Sequence, residues 1–132
     1  MNTTASKSNV INLKIQLSNI APSEAIPEAY VREANGTSEL DVNIVNRGFT
    51  LVLPAFKDET FDELLMTFST PENVGISSNL ITFKSGEASI DTVTKDEVIG
   101  TFKRGDKAKI MIFLRVYGDV WMVKDSTEYD IV

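Results

Sequence analysis

The side chains with chemistry to offer are carboxylates. Asp91, Asp96, Glu97, Asp106, Asp125 and Asp130 could supply the acid and base of a glycoside hydrolase, which needs two carboxyl groups flanking one bond. An acidic β-protein presents such pairs as a matter of course, so they single out no site. Asp58-Glu59 and Asp62-Glu63 could gather oxygens around calcium. The Asp-x-Asp-x-Asp-Gly loop that would organise them is absent, and a solvated acidic turn accounts for them. With no cysteine there is no disulfide, thiolate nucleophile or thiolate zinc site, and with no histidine the commonest general base and the imidazole metal ligand are missing. Ser-His-Asp catalysis is excluded. The expectation is a protein that is not an enzyme, with no catalytic residues, no cofactor and no transition-metal site.

Two short motifs have plainer readings. Arg104-Gly105-Asp106 spells an integrin-type tripeptide, but Gly and Asp are what a tight turn before a strand requires. Asn35-Gly36-Thr37 fits a glycosylation acceptor. No cleaved leader is read at residues 1–18, so the acceptor is expected to go unused.

The elements that must position any site are strands. Residues 108–125 read as a β-hairpin closed by a two-residue Gly118-Asp119 loop. That register puts Ile110, Ile112, Leu114, Val116, Trp121 and Val123 on one apolar face, and a one-residue slip would spoil it. Trp121 is therefore expected in the core. Phe113, Arg115, Tyr117 and Met122 fall on the mixed face. These types are enriched at interfaces, and they are the candidate binding residues. The competing reading is that neighbouring strands or the chain's own N-terminus cover this face.

Elsewhere, Ile11, Leu13, Ile15 and Leu17 alternate with polar residues as in a half-buried strand. A short edge strand is expected near Tyr30-Val31, after Pro22 and Pro27. Residues 40–53 read as a second hairpin turning at Asn46-Arg47, with Leu40, Val42, Ile44, Phe49, Leu51 and Leu53 on one face. A bulged loop at Gly48, or placement of the two strands in different sheets, stays open. Residues 57–68 are ambiguous. Thr60 and Glu63 fit a helix capping box, whereas Leu64, Met66 and Phe68 alternate as in a strand; a strand from about Glu63 is expected. Short strands follow at 80–83 and 88–93, with a further apolar piece at 98–102. About nine short strands and frequent turns predict an antiparallel sandwich.

Composition sets the outer bounds. With 132 residues, 42% of them hydrophobic and 24% charged, the chain is expected to form a single domain over 10–132, behind a flexible N-terminus at 1–9. A net charge of -6 argues against nucleic acid as partner. No apolar run of about 18 residues exists, so no membrane insertion is expected. The missing leader predicts a cytoplasmic location or export by a leaderless route.

The order of short motifs resembles a known family. Glu33-Ala34-Asn35-Gly36 is followed by Leu40-Asp41, then by Gly48-Phe49-Thr50-Leu51-Val52-Leu53-Pro54, then by an Asp62-led apolar strand and the late strand at 108–117. The pattern, over roughly 26–132, resembles the Ig-like β-sandwich modules repeated in large bacterial surface and adhesin-like proteins, those of pseudomonads above all. Where such modules often carry Gly-Asp before the middle strand and Trp near its end, this chain has Asp62-Glu63 and Phe68. The resemblance implies an all-β, antiparallel two-sheet Ig-like sandwich. It implies a structural or adhesion-type binding module without catalytic residues. A protein or carbohydrate surface is the expected partner, and the alternative is a small carbohydrate- or ligand-binding sandwich that uses exposed aromatics.

Overall fold

A computed structural model describes residues 26–72, 75–77, 79–98, 100–116 and 120–132. The chain is all-β, with two sheets over one apolar interior. The smaller sheet has the order β1 (Tyr30–Val31), β3 (Gly48–Leu53), β7 (Ser89–Thr94), all antiparallel. The larger, curled sheet has the order β2 (Glu39–Leu40), β9 (Val120–Ile131), β8 (Lys107–Val116), β4 (Phe61–Ser69), β5 (Gly75–Ser77), and β6 (Ile81–Thr82) also pairs with β4. Its β2–β9 pair is parallel; the rest are antiparallel.

Strand alternation builds the interior. Phe49, Leu51 and Leu53 of β3 face Leu64, Met66 and Phe68 of β4 and Ile110, Ile112 and Leu114 of β8, all nearly fully buried. The expected edge strand is β1. The ambiguous 57–68 segment resolves as the strand β4, beginning at Phe61, and the Thr60 hydroxyl donates to Asp58 rather than capping a helix. The strand pieces near 80–83 and 88–93 are β6 and β7. The Arg104-Gly105-Asp106 motif is a turn: Gly105 has φ +93° and the Asp106 carboxylate accepts from the Lys103 backbone N–H at 2.9 Å. The predicted strand containing Ile11 and Leu17 lies outside the described residues.

Two expectations are corrected. Residues 40–53 are not a hairpin. Leu40 pairs with Ile131 in the larger sheet and Gly48–Leu53 lies in the smaller one. Val42–Val45 between them is a helical turn, because the Asp41 carboxylate accepts from the Asn43 backbone N–H at 2.7 Å and caps it. Only Val45 of that turn is fully buried, and Ile44 is exposed.

The register of the main hairpin also differs. Val116 pairs with Val120, Arg115 with Trp121 and Leu114 with Met122, which leaves three residues in the connection rather than two. Each partner moves by one, and β9 turns its other face inward. Met122 packs against the core, while Trp121 and Val123 point away from it. A bulge then restores the inward pattern further along. Lys109 pairs with Glu128 but Met111 with Asp125, so Ser126 and Thr127 together oppose Ile110. Beyond this extra residue Tyr129 and Ile131 are buried.

Gly48 opens β3 with φ +101°, and a Cβ there would sit 2.6 Å from the Val93 carbonyl oxygen. Both the backbone angle and the contact with β7 oppose any side chain. Gly48→Ala is expected to lower stability by about 2 kcal/mol or more, read as a lower urea midpoint with an unchanged slope. Gly86→Ala, at φ +84° with open space around it, is expected to cost less.

Candidate functional site

The outer face of the larger sheet is laid out in cross-strand rows. Glu63, Arg115 and Trp121 form the first, Leu65, Phe113 and Val123 the second, Thr67, Met111 and Asp125 the third, and Ser69, Lys109 and Glu128 the fourth. Strands sit about 4.8 Å apart and same-face residues about 6.8 Å apart along each strand, so long and aromatic side chains in adjacent rows are within reach of one another. The result is an apolar strip of Leu65, Met111, Phe113, Val123 and Trp121, each half-buried, with charged groups at both ends.

At one end a second bulge shapes the charges. Phe61 pairs with Val116 and Glu63 with Arg115, so Asp62 is the extra residue in β4. Phe61 and Leu64 both turn into the core, and the two consecutive carboxylates between them both reach Arg115. Arg115 Nε donates to Asp62 Oδ1 at 3.0 Å, Nη2 donates to Asp62 Oδ2 at 3.2 Å, and Nη2 lies 2.9 Å from Glu63 Oε1. The guanidinium carbon sits 5.9 Å from the centre of the Trp121 ring, within cation–π range. A planar cation is thus clamped on two carboxylates beside the indole. At the other end Lys109 Nζ lies 3.4 Å from Asp125, and Lys107 Nζ lies 2.6 Å from Asp130.

Of the candidate residues read from the sequence, Phe113 and Arg115 share this face. Tyr117 lies outside the described residues. Met122 does not belong: it is on the inner face opposite Leu114, packed against the core. Trp121, expected inside, takes its place on the outer face. Leu65 of β4 was not singled out, because its place on this surface depends on the β4–β8 pairing. No local signal in the sequence reveals that partner.

The carboxylates named for hydrolase or calcium chemistry are scattered. The hydrogen bond from Arg115 holds the Asp62 carboxyl below the usual aspartate range, against a smaller opposing effect of burial. Such a group is ionised near neutrality and is no proton donor. Burial raises Asp91, which faces the interior across from Leu51, while hydrogen bonds from Asn79 pull the other way. Asp58 is buried, and its carboxylate accepts from the Thr60 backbone N–H at 2.8 Å. Among the described residues no three acidic side chains converge as a metal cluster, and no helix is long and apolar enough to cross a membrane.

Trp121→Ala is expected to cost about 1–2 kcal/mol, since half of a large side chain leaves a sheet surface. Leu114→Ala, fully buried on the neighbouring strand, is expected to cost about 2–5 kcal/mol. Paired urea melts give the comparison, and the native emission of the single tryptophan should be that of a partly wet indole.

Arg115→Ala should return Asp62 toward its ordinary value of 3.8. Asp62 is held low in the folded state, so its stabilising effect is complete above that value and is lost as the pH falls through the folded one. The variant should show a weaker acid-side loss of stability, and carboxyl NMR titration should show Asp62 rising. The charges are partly exposed and solvent-screened, so the change in stability will be small.

Compared with protein-family models, curated proteins and solved structures, the chain finds no match in any of the three.

Proposed function

We propose that this chain is a non-enzymatic Ig-like module of structural or adhesion type that binds through the outer face of its larger sheet. The observation that carries the reading is the Trp121 strip. Trp, Phe, Met and Arg are the residue types that concentrate binding energy at protein interfaces, and here they occupy adjacent rows on a three-strand platform. The platform is rigid, because its side chains rise from paired strands rather than loops. Arg115 is already ordered by Asp62 and Glu63, so little further freedom is lost when a partner arrives. The two-sheet all-β architecture supports the Ig-like reading.

A protein surface is the preferred partner. The strip is a continuous apolar band with charges confined to its ends, which suits an apolar patch with a polar rim. A carbohydrate is the second reading, favoured by the half-buried indole of Trp121, since a flat aromatic face can stack on a sugar ring. Catalysis is disfavoured by the arrangement of the carboxylates: the pair nearest the strip is tied to one guanidinium, whose hydrogen bond holds the Asp62 carboxyl below the usual aspartate range.

The test is an array of immobilised matrix proteins and purified glycans, probed with the wild type, with Trp121→Ala and with Phe113→Ala. Retention on one class by the wild type, reduced at least about tenfold in both folded variants, is the expected outcome, a change of about 1.4 kcal/mol or more. Retention that neither substitution alters would overturn the assignment of this face. Turnover of chromogenic glycosides or esters by the wild type would overturn the non-enzymatic reading.

A further inference from the structure

Glu33 fixes a tight turn just after β1. Its carboxylate accepts from the Thr50 backbone N–H at 2.8 Å and from the Thr50 hydroxyl at 3.0 Å, so the single 3-10 turn Arg32–Ala34 is held against β3. Asn35 then takes φ +52° and Gly36 φ +82°, left-handed backbone that reverses the chain. The Thr37 backbone N–H closes on the Ala34 carbonyl at 3.0 Å. A cavity of about 440 Å³ lies between this turn and the far end of β9. Tyr30, Arg32 and Gly36 line it on one side, and Thr127 and Tyr129 on the other. Its volume falls within the range of small-molecule sites, about 300–1,000 Å³.

Donors on three of the lining residues have no acceptor among the described residues. The Arg32 guanidinium makes no ion pair or hydrogen bond there. The Gly36 backbone N–H donates to nothing. The Tyr129 hydroxyl accepts from the Val31 backbone N–H at 2.9 Å, which leaves its own O–H proton without an acceptor although the residue is only 2% exposed. Burial raises the Tyr129 phenol above its ordinary range, against the pull of the Val31 bond, and so keeps that proton on oxygen. A buried donor left unmade costs free energy that an acceptor in the cavity recovers. None of the eight lining residues is acidic, in a chain with 19 acidic residues and a net charge of -6.

We infer that this cavity is a further binding site, for a small monocarboxylate with a hydroxylated ring, an acidic sugar. The planar guanidinium of Arg32 offers paired donors that match a carboxylate. The Gly36 N–H and the Tyr129 O–H supply donors for the remaining oxygens. Tyr30, 41% exposed, has an aromatic face free for the C–H side of a sugar ring. One unpaired cation and no carboxylate in the lining match a single negative charge. The site shares no residue with the Trp121 strip and stands whether or not that strip binds a partner.

Titration of the isotope-labelled full chain with glucuronate, followed through its amide NMR shifts, tests this. Saturable shifts at Arg32, Gly36 and Thr127 are expected, with a Kd on the order of 1 mM. Arg32→Gln should weaken binding at least about tenfold, while Arg47→Gln, an exposed arginine outside the cavity, should leave it unchanged. Glucose, a similar ring without the charge, should bind at least about tenfold more weakly than glucuronate. The absence of saturable shifts at 30–37 up to about 10 mM glucuronate, or binding that Arg32→Gln leaves unaltered, would overturn the inference. Glucose binding as tightly as glucuronate would overturn recognition of the carboxylate. Inorganic phosphate binding as tightly would overturn the assignment to an acidic sugar.

Discussion

The packing around Phe68 is the contact on which the two sheets depend. Its ring lies 5.1 Å from Phe49 of the smaller sheet, 5.2 Å from Phe102 and 6.2 Å from Tyr129 of β9, centre to centre. One side chain thus joins β3, β4, β9 and the loop before β8. Each such aromatic pair adds about 0.5–1.5 kcal/mol beyond area burial, and removing a buried Phe costs about 3–5 kcal/mol. Against a total stability of about 5–15 kcal/mol for a domain of this kind, that loss is large. A second group, Phe56, Phe61 and Phe83, packs ring to ring at 5.1–6.4 Å where β4 begins. Tyr129 adds a polar link, because its hydroxyl accepts from the Val31 backbone N–H at 2.9 Å.

That interior constrains the outer face. A strand has two sides only, so whatever the core takes from β4, β8 and β9 decides what is left outside. Leu64, Met66 and Phe68 go in, and Leu65 goes out. Ile110, Ile112 and Leu114 go in, while Met111, Phe113 and Arg115 go out. The two bulges adjust this rule locally. The one at Asp62 allows two neighbouring carboxylates to meet one arginine. The one at Ser126 and Thr127 lets β9 present Trp121 outward at its start and bury Tyr129 and Ile131 near its end. The same bulge supplies the hydroxyls that hold Ala29, so the switch of faces and the entry of the chain occur at one place.

Charge placement follows the same geometry. The cations of β8, Lys107, Lys109 and Arg115, each meet a carboxylate from an adjacent strand. Lys124 occupies an inward position opposite Ile112, yet its ammonium reaches Glu28 at the sheet edge. Exposed pairs of this kind add little stability individually.

The sequence by itself determined the fold class and most of the strands. The alternation in β3, β4, β7 and β8 is strong because each has one dry side, and period two is then visible without any partner. Glycine turns such as Gly86 and Gly105 were legible for the same local reason, a positive φ that other residues avoid. Candidate residues Phe113 and Arg115 could be read from β8 alone. What only the tertiary structure decided was which strands pair, and in what register. Residues 40–53 alternate convincingly, but the Asp41 cap and the parallel pairing of Leu40 with Ile131 place the two halves in different sheets. Val120 to Val123 are apolar at every position, so their pattern cannot say which side is inward. The length of one connection chose Met122 for the core and Trp121 for the surface, because in a strand a shift of one residue exchanges the two faces.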